Sequence, residues 1–248
     1  MITPDSAARR AAIRATLLAA YESGELWGEA NPAWPLPEGM TRGEESHLAY
    51  LTFVYSISGG RDPVPLWQAA RQTAVADPEL FAPKFLAYVK PTEISDRLRQ
   101  PGVARKKSDV TVWQRLGQAL VMRAGGSVKQ LLADHAFDAQ KLLAMLKGNK
   151  TTFPVLSGPQ TAPRWLYGLA HEGTQPIIGA AHLPVPVSPA AGRALASLMI
   201  DADQVSAEIF PALDTLGRLG CQQRPPAQPL CPAAPTCPVA AHCQYGIS

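Results

Sequence analysis

All four cysteines of this 248-residue chain fall in its last 28 residues, at Cys221, Cys231, Cys237 and Cys243, among prolines at 225, 226, 229, 232, 235 and 238. Proline lacks a backbone N–H and clashes with the preceding turn, so this stretch can form neither a regular helix nor a central strand. Its order has to come from elsewhere. Four thiolates gathered by such a loop suit a tetrahedral or cubane metal site, and metal binding would then supply the folding free energy that packing cannot. Structural disulfides or unligated thiols are the alternatives, although disulfides are rare in the cytoplasm.

Upstream, helical punctuation recurs and strand signals do not. Pro4-Asp5-Ser6 opens a pattern through Ile13, Leu17 and Tyr21 that stops at Gly24, and Asp77-Pro78 opens another through Phe81, Phe85 and Leu86. Ser108 precedes Val112, Leu116, Leu120 and Val121, with a stop at Gly125-Gly126. Ser127 and Asp138 are predicted caps, the latter for a helix over 139–146 stopped at Gly148, and Ser188-Pro189 starts a helix through Ala194, Leu195, Leu198 and Met199. The predicted fold is all-α. Three segments are expected: an N-terminal helix and Pro-rich connection over 1–40, a helical body over 41–220, and the four-Cys loop over 221–248, with no internal repeat. With 46% hydrophobic residues the chain has enough apolar material for a sizeable core. No apolar run is long enough to span a membrane, and the first 23 residues lack the continuous apolar region of a signal peptide, so a cytoplasmic monomer is expected.

Charge is unevenly distributed. From Lys84 to Lys150 there are thirteen Lys or Arg against five Asp or Glu, whereas the whole chain carries only +3. A segment of this kind suits a polyanion, because neutralised phosphates release counterions, and it equally suits a set of solvated helix faces.

Clustered cysteines after an all-helical body with a basic middle resemble the endonuclease III branch of the helix-hairpin-helix DNA glycosylases. Cys237-Pro-Val-Ala-Ala-His-Cys243 has the last spacing of that family's iron-sulfur loop, but the first two gaps are nine and five residues where the family usually has six and two. The resemblance implies a 4Fe-4S cluster on Cys221, Cys231, Cys237 and Cys243, with zinc as the alternative. It also implies a two-lobed fold, double-stranded DNA as partner, and a hairpin whose backbone N–H groups hold a phosphate.

Two segments compete for the hairpin. Pro101-Gly102-Val103-Ala104-Arg105-Lys106-Lys107 looks similar to the family's Leu-Pro-Gly-Val-Gly-Arg-Lys-Thr-Ala and would put Lys106 at the lysine nucleophile, but it lies 115 residues before Cys221. Phe153-Pro-Val-Leu-Ser-Gly158-Pro-Gln160-Thr161-Ala162 fits the spacing, placing the hairpin at about 151–166. On that register Leu156 occupies the first glycine position and Gln160 the lysine position. Glutamine cannot form an imine, which argues against lyase activity. A plain turn before a helix is the other reading of Gly158-Pro159.

The family's catalytic aspartate would fall in Leu183-Pro184-Val185-Pro186-Val187-Ser188, where Pro186 stands in its place. Proline can neither take a proton nor support a developing cation. Asp201 and Asp203 are weak substitutes, with Glu172 and Glu208 the other nearby acids; solvated helix ends are the ordinary role of all four. His171 and His182 bracket the loop over 173–181 and could line a pocket or simply sit at the surface. The resemblance further implies a wedge that fills the gap left by an extruded base; Ser58 replaces the longer side chain there, and Arg61 is the nearby candidate. Gly158, Thr161, Ser58, Arg61, Lys106, Lys107 and Lys150 form the expected DNA-contact set. Trp67, Trp113 and Trp165 could stack on bases, but helical spacing favours the core. The function so implied is DNA binding with monofunctional excision of a damaged or modified base. The alternative is a scaffold that keeps the cluster and binds without chemistry.

Overall fold

The computed structural model describes residues 7–27, 36–59, 61, 63–183, 187–223 and 230–246. Among these the regular structure is helical, with one isolated parallel bridge, Asp138 to Ile178, and no named strand. The chain is all-α. It groups into two compact units, Ala33–Ala180 and the two chain ends, Met1–Pro32 with Ala181–Ser248. The expected segments 1–40 and 221–248 thus fall largely in one unit, joined by residues 181–220.

Within Ala33–Ala180, helix α2 (Glu45–Ser56) is buried from His47 to Ser56 on every face, as an all-round apolar helix at the centre of a core must be. Helices α3 (Pro63–Ala76), α6 (Lys107–Ala124), α7 (Val128–Ala133) and α9 (Thr161–His171) pack around it. The Asp77-Pro78 pattern divides: a 3-10 turn covers Pro78–Phe81, Ala82 is extended, and α4 covers Pro83–Tyr88. The cause is Pro83, which forces the preceding residue out of the helical region. α5 (Pro91–Arg99) follows, and α4 then lies against α6, where Gly117 is required: a Cβ there would come 2.6 Å from Leu86 Cβ.

Trp113 fills the gap between Phe53 and Phe81 and donates its Nε1–H to the Leu80 carbonyl at 2.6 Å. Trp165 donates to Thr52 Oγ1 at 3.0 Å, tying α9 to α2. With Trp67 also buried, the three tryptophans are core residues and none is available to stack on a base. The predicted caps hold their helices: Ser127 accepts the Gln130 N–H, and Asp138 accepts two N–H groups of α8 (Ala139–Gly148). A second cap on α7 comes from far away in sequence, where the Glu45 carboxylate accepts from the Ser127 hydroxyl and from the N–H groups of Val128 and Lys129.

In the unit formed by the chain ends, α1 (Ala7–Ser23) presents Ile13, Leu17, Ala20 and Tyr21 to a core shared with α10 (Pro189–Leu198) and α11 (Phe210–Thr215). Each fully buried Ile or Leu contributes roughly 1.5–3 kcal/mol, so these contacts hold α1 in place. Ser188 caps α10 through the Ala191 N–H, as the sequence predicts. After α11 the backbone widens into a π-turn, Leu216–Gly220, in which Gly217 lies so close to the Ala190 carbonyl that a Cβ would overlap it. Beyond Cys221 only 3-10 turns occur among the described residues, consistent with the prolines.

Candidate metal centre and nucleic-acid interface

The Cys segment has an internal order of six residues, Cys231-Pro-Ala-Ala, Cys237-Pro-Val-Ala, then Cys243-Gln-Tyr-Gly. Each unit folds into the same turn: Ala234, Ala240 and Gly246 donate their N–H groups to the carbonyls of Cys231, Cys237 and Cys243 at 2.9, 3.1 and 3.0 Å. Cys237 and Cys243 in turn donate to Ala234 and Ala240 at 3.2 and 3.1 Å, so the chain turns every three residues and the thiols recur on one side. Alanine or proline occupies most of the intervening positions between Cys231 and Cys243. The hexad is too short to be a domain-scale repeat, and its Cys-Pro-x-Ala signal is present in the first two units.

All four cysteines are among the residues that line one small pocket partly open to solvent. Its other walls are the apolar Leu198, Leu216 and Val239 together with small residues and Ser197. No disulfide joins any of the four cysteines. The Cys243 sulfur accepts the Tyr245 N–H at 3.4 Å, and the Ser197 side chain and the Val239 backbone act to lower the Cys221 and Cys237 pKa respectively. Burial is the main cause of a raised pKa at both Cys221 and Cys237, the latter pushed up to about 11. Such thiols stay protonated until a cation compensates their charge. Among the described residues no three Cys, His, Asp or Glu side chains converge tightly enough to hold a single metal ion. The four cysteines border one pocket, and the Tyr245 N–H is directed at the Cys243 sulfur.

Two contacts fix this segment from the N-terminal side. Arg9 donates to the carbonyls of Leu198 and His242 at 2.6 and 2.7 Å. Trp27 lies on Gly220, where a Cβ would come 2.4 Å from its ring. Neither residue was marked by sequence pattern, since both lie some two hundred positions from their partners.

In the unit Ala33–Ala180, the segment over 149–160 links α8 to α9. Its bend is at Val155, with φ +64°, a conformation disfavoured for a β-branched residue. Leu156, the expected glycine position, is fully buried instead. Gly158 donates to the Val155 carbonyl at 2.8 Å and has no room for a Cβ, which would sit 2.9 Å from that oxygen. Gln160 is exposed immediately before α9, while Thr161 is buried. Arg123 donates to Asn149 Oδ1 at 2.9 Å, which brings the end of α6 to the start of this turn and to the exposed Lys150.

The remaining expected contacts gather at the other end of α6. Exposed Arg105 and Lys106 precede that helix and exposed Lys107 begins it, held by Asp109, which accepts from the N–H groups of Arg105 and Lys106. Arg61 donates to the carbonyls of Gly102 and Val103, while Ser58 is buried with its hydroxyl on the Tyr55 carbonyl. Since α6 has 18 residues, about 27 Å of helix separates the two cationic groups.

The candidate acids have other partners. Glu172 is buried and accepts from Arg42 at 2.9 Å, and Glu208 pairs with Arg14. Asp201 and Asp203 sit exposed at a 3-10 turn, Asp201 as its cap. His171 is exposed and stacks on Tyr167, and His182 is exposed as well. Pro186 lies outside the described residues. No helix among the described residues is long and apolar enough to cross a membrane. No family model matches the chain, and no curated protein matches it at a significant level.

Proposed function

We propose that the chain is a DNA-binding protein of the helix-hairpin-helix glycosylase type, with a 4Fe-4S cluster held by Cys221, Cys231, Cys237 and Cys243. The observation that carries this reading is the single thiol-lined cavity built on a six-residue repeat. The cluster would cross-link a proline-rich segment that cannot order itself by packing, with zinc as the competing occupant. The two cationic groups at the ends of α6 would meet phosphates on duplex DNA, and the Val155–Gly158 bend would approach the backbone. If the protein acts on bases, the reaction is monofunctional hydrolysis, because Gln160 offers no amine.

A second reading, binding without chemistry, is favoured by the pairing of Glu172 with Arg42 and by Gln160 itself. The test begins with anaerobic purification, iron and sulfide analysis and visible absorption. Salt-dependent binding to duplex DNA and base release from a panel of lesion-bearing duplexes follow. Iron with base release supports the enzyme; iron and binding without release supports the binding module. Colourless, iron-free protein that ignores duplex DNA overturns both.

A further inference from the structure

Resting on the cluster reading above, we propose that Arg9 is a positioning residue for the thiol site, holding the Cys243 turn so that α1 governs how firmly the site keeps its occupant. Arg9 and the thiol segment stand at opposite ends of the chain. The same guanidinium nitrogen, Nη2, reaches the Leu198 carbonyl at 2.6 Å and the His242 carbonyl at 2.7 Å. Both acceptors matter to the cavity. Leu198 is one of its walls and ends α10, and His242 is the residue before Cys243.

The six-residue repeat explains why that carbonyl is a useful handle. In the first two units the turn bonds run from the first residue to the fourth, from the third to the sixth and from the fourth to the next cysteine, and none of them uses the carbonyl of the sixth residue. At His242 it is taken by Arg9. The bond therefore fixes the backbone at the entry to the last turn, where the Tyr245 N–H donates to Cys243 Sγ and the Tyr245 carbonyl accepts from the Cys231 N–H at 2.9 Å. A change at the entry to this turn reaches the Cys243 sulfur and the backbone of Cys231.

Trp27 supplies the matching contact at the other end, lying on Gly220 immediately before Cys221. The N-terminal helix and the turn after it thus touch the thiol segment beside its first and its last cysteine. A cationic donor also differs from an apolar contact in strength, since charge-assisted hydrogen bonds are about twice as strong as neutral ones.

The variants are Arg9→Met, which keeps much of the reach and loses every donor, and Arg9→Lys, which keeps a cationic nitrogen. In anaerobically purified protein, the visible absorption under an iron chelator should decay about tenfold faster in Arg9→Met than in wild type, with Arg9→Lys in between. In metal-free protein, iodoacetamide labelling resolved by mass spectrometry should speed up about tenfold at Cys243, while Cys221, held from the Trp27 side, changes by less than about twofold. Equal acceleration at all four cysteines would mean that Arg9 only stabilises the fold and would overturn the proposal. Unchanged labelling at Cys243 would overturn it too. Wild-type protein that never takes up iron would remove the cluster reading alone, because the labelling result judges Arg9 without metal.

Discussion

Acidification should destabilise the Ala33–Ala180 unit through one residue, His47. Its ring is almost fully buried, stacked on Tyr50 with centroids 6.4 Å apart, and Nδ1 accepts the Gly43 N–H at 3.1 Å. Protonating that nitrogen would remove the acceptor and place a cation in the core. Burial, with a smaller contribution from the Arg42 cation, lowers the His47 pKa from 6.5 to about 4. Between these values the unfolded chain binds the proton and the native protein does not, so stability is complete above pH 6.5 and falls as pH drops toward 4. Linkage gives a loss of about 2 kcal/mol between about pH 7 and pH 5, approaching about 3 kcal/mol near pH 4. Urea unfolding followed by tryptophan fluorescence across that range measures it. His47→Asn retains an acceptor for Gly43 but does not titrate, so its stability should be lower at neutral pH and lack this slope. An equally steep pH dependence in wild type and His47→Asn would refute the reasoning.

Thr52→Val leaves the buried Trp165 N–H without its acceptor and should cost about 1–3 kcal/mol in urea unfolding; a change of only a few tenths would mean that the indole finds another partner. Glu45→Ala removes the long-range cap of α7 and should cost about 1–2 kcal/mol, with faster hydrogen exchange at Val128 and Lys129 as the local signature. If the cationic ends of α6 meet DNA, Lys106→Ala and Lys150→Ala should each weaken duplex binding on every sequence and reduce the salt slope by about one; unchanged slopes would remove these lysines from the interface.

Local rules carried the sequence reading a long way. Ser127, Asp138 and Ser188 cap their helices because a short polar side chain can reach an N–H two or three residues ahead, whatever surrounds it. The tryptophans could be placed in the core for a similar reason, since helical spacing already put them on apolar faces. Long-range geometry was not legible. The cap that Glu45 provides for α7, the guanidinium of Arg9 on His242 and the bend at Val155 depend on which segments meet in space. The thiol segment stands between these cases: its cysteines marked it at once, yet the rule that turns them to one side was a hexad short enough to pass for low-grade proline bias.

The core that embraces α1 also dictates an order of events at the ribosome. This helix is translated before its partners: its apolar stripe joins residues of α10 and α11, which emerge only after the whole of Ala33–Ala180. The intervening segment can therefore close its own core while the leading helix is still waiting for its partners. Docking it requires closure of a long loop, which makes it a late step with a sizeable entropic cost. During that interval the nascent chain carries an uncovered amphipathic stripe, and the span of synthesis that remains sets how long a chaperone would have to shield it.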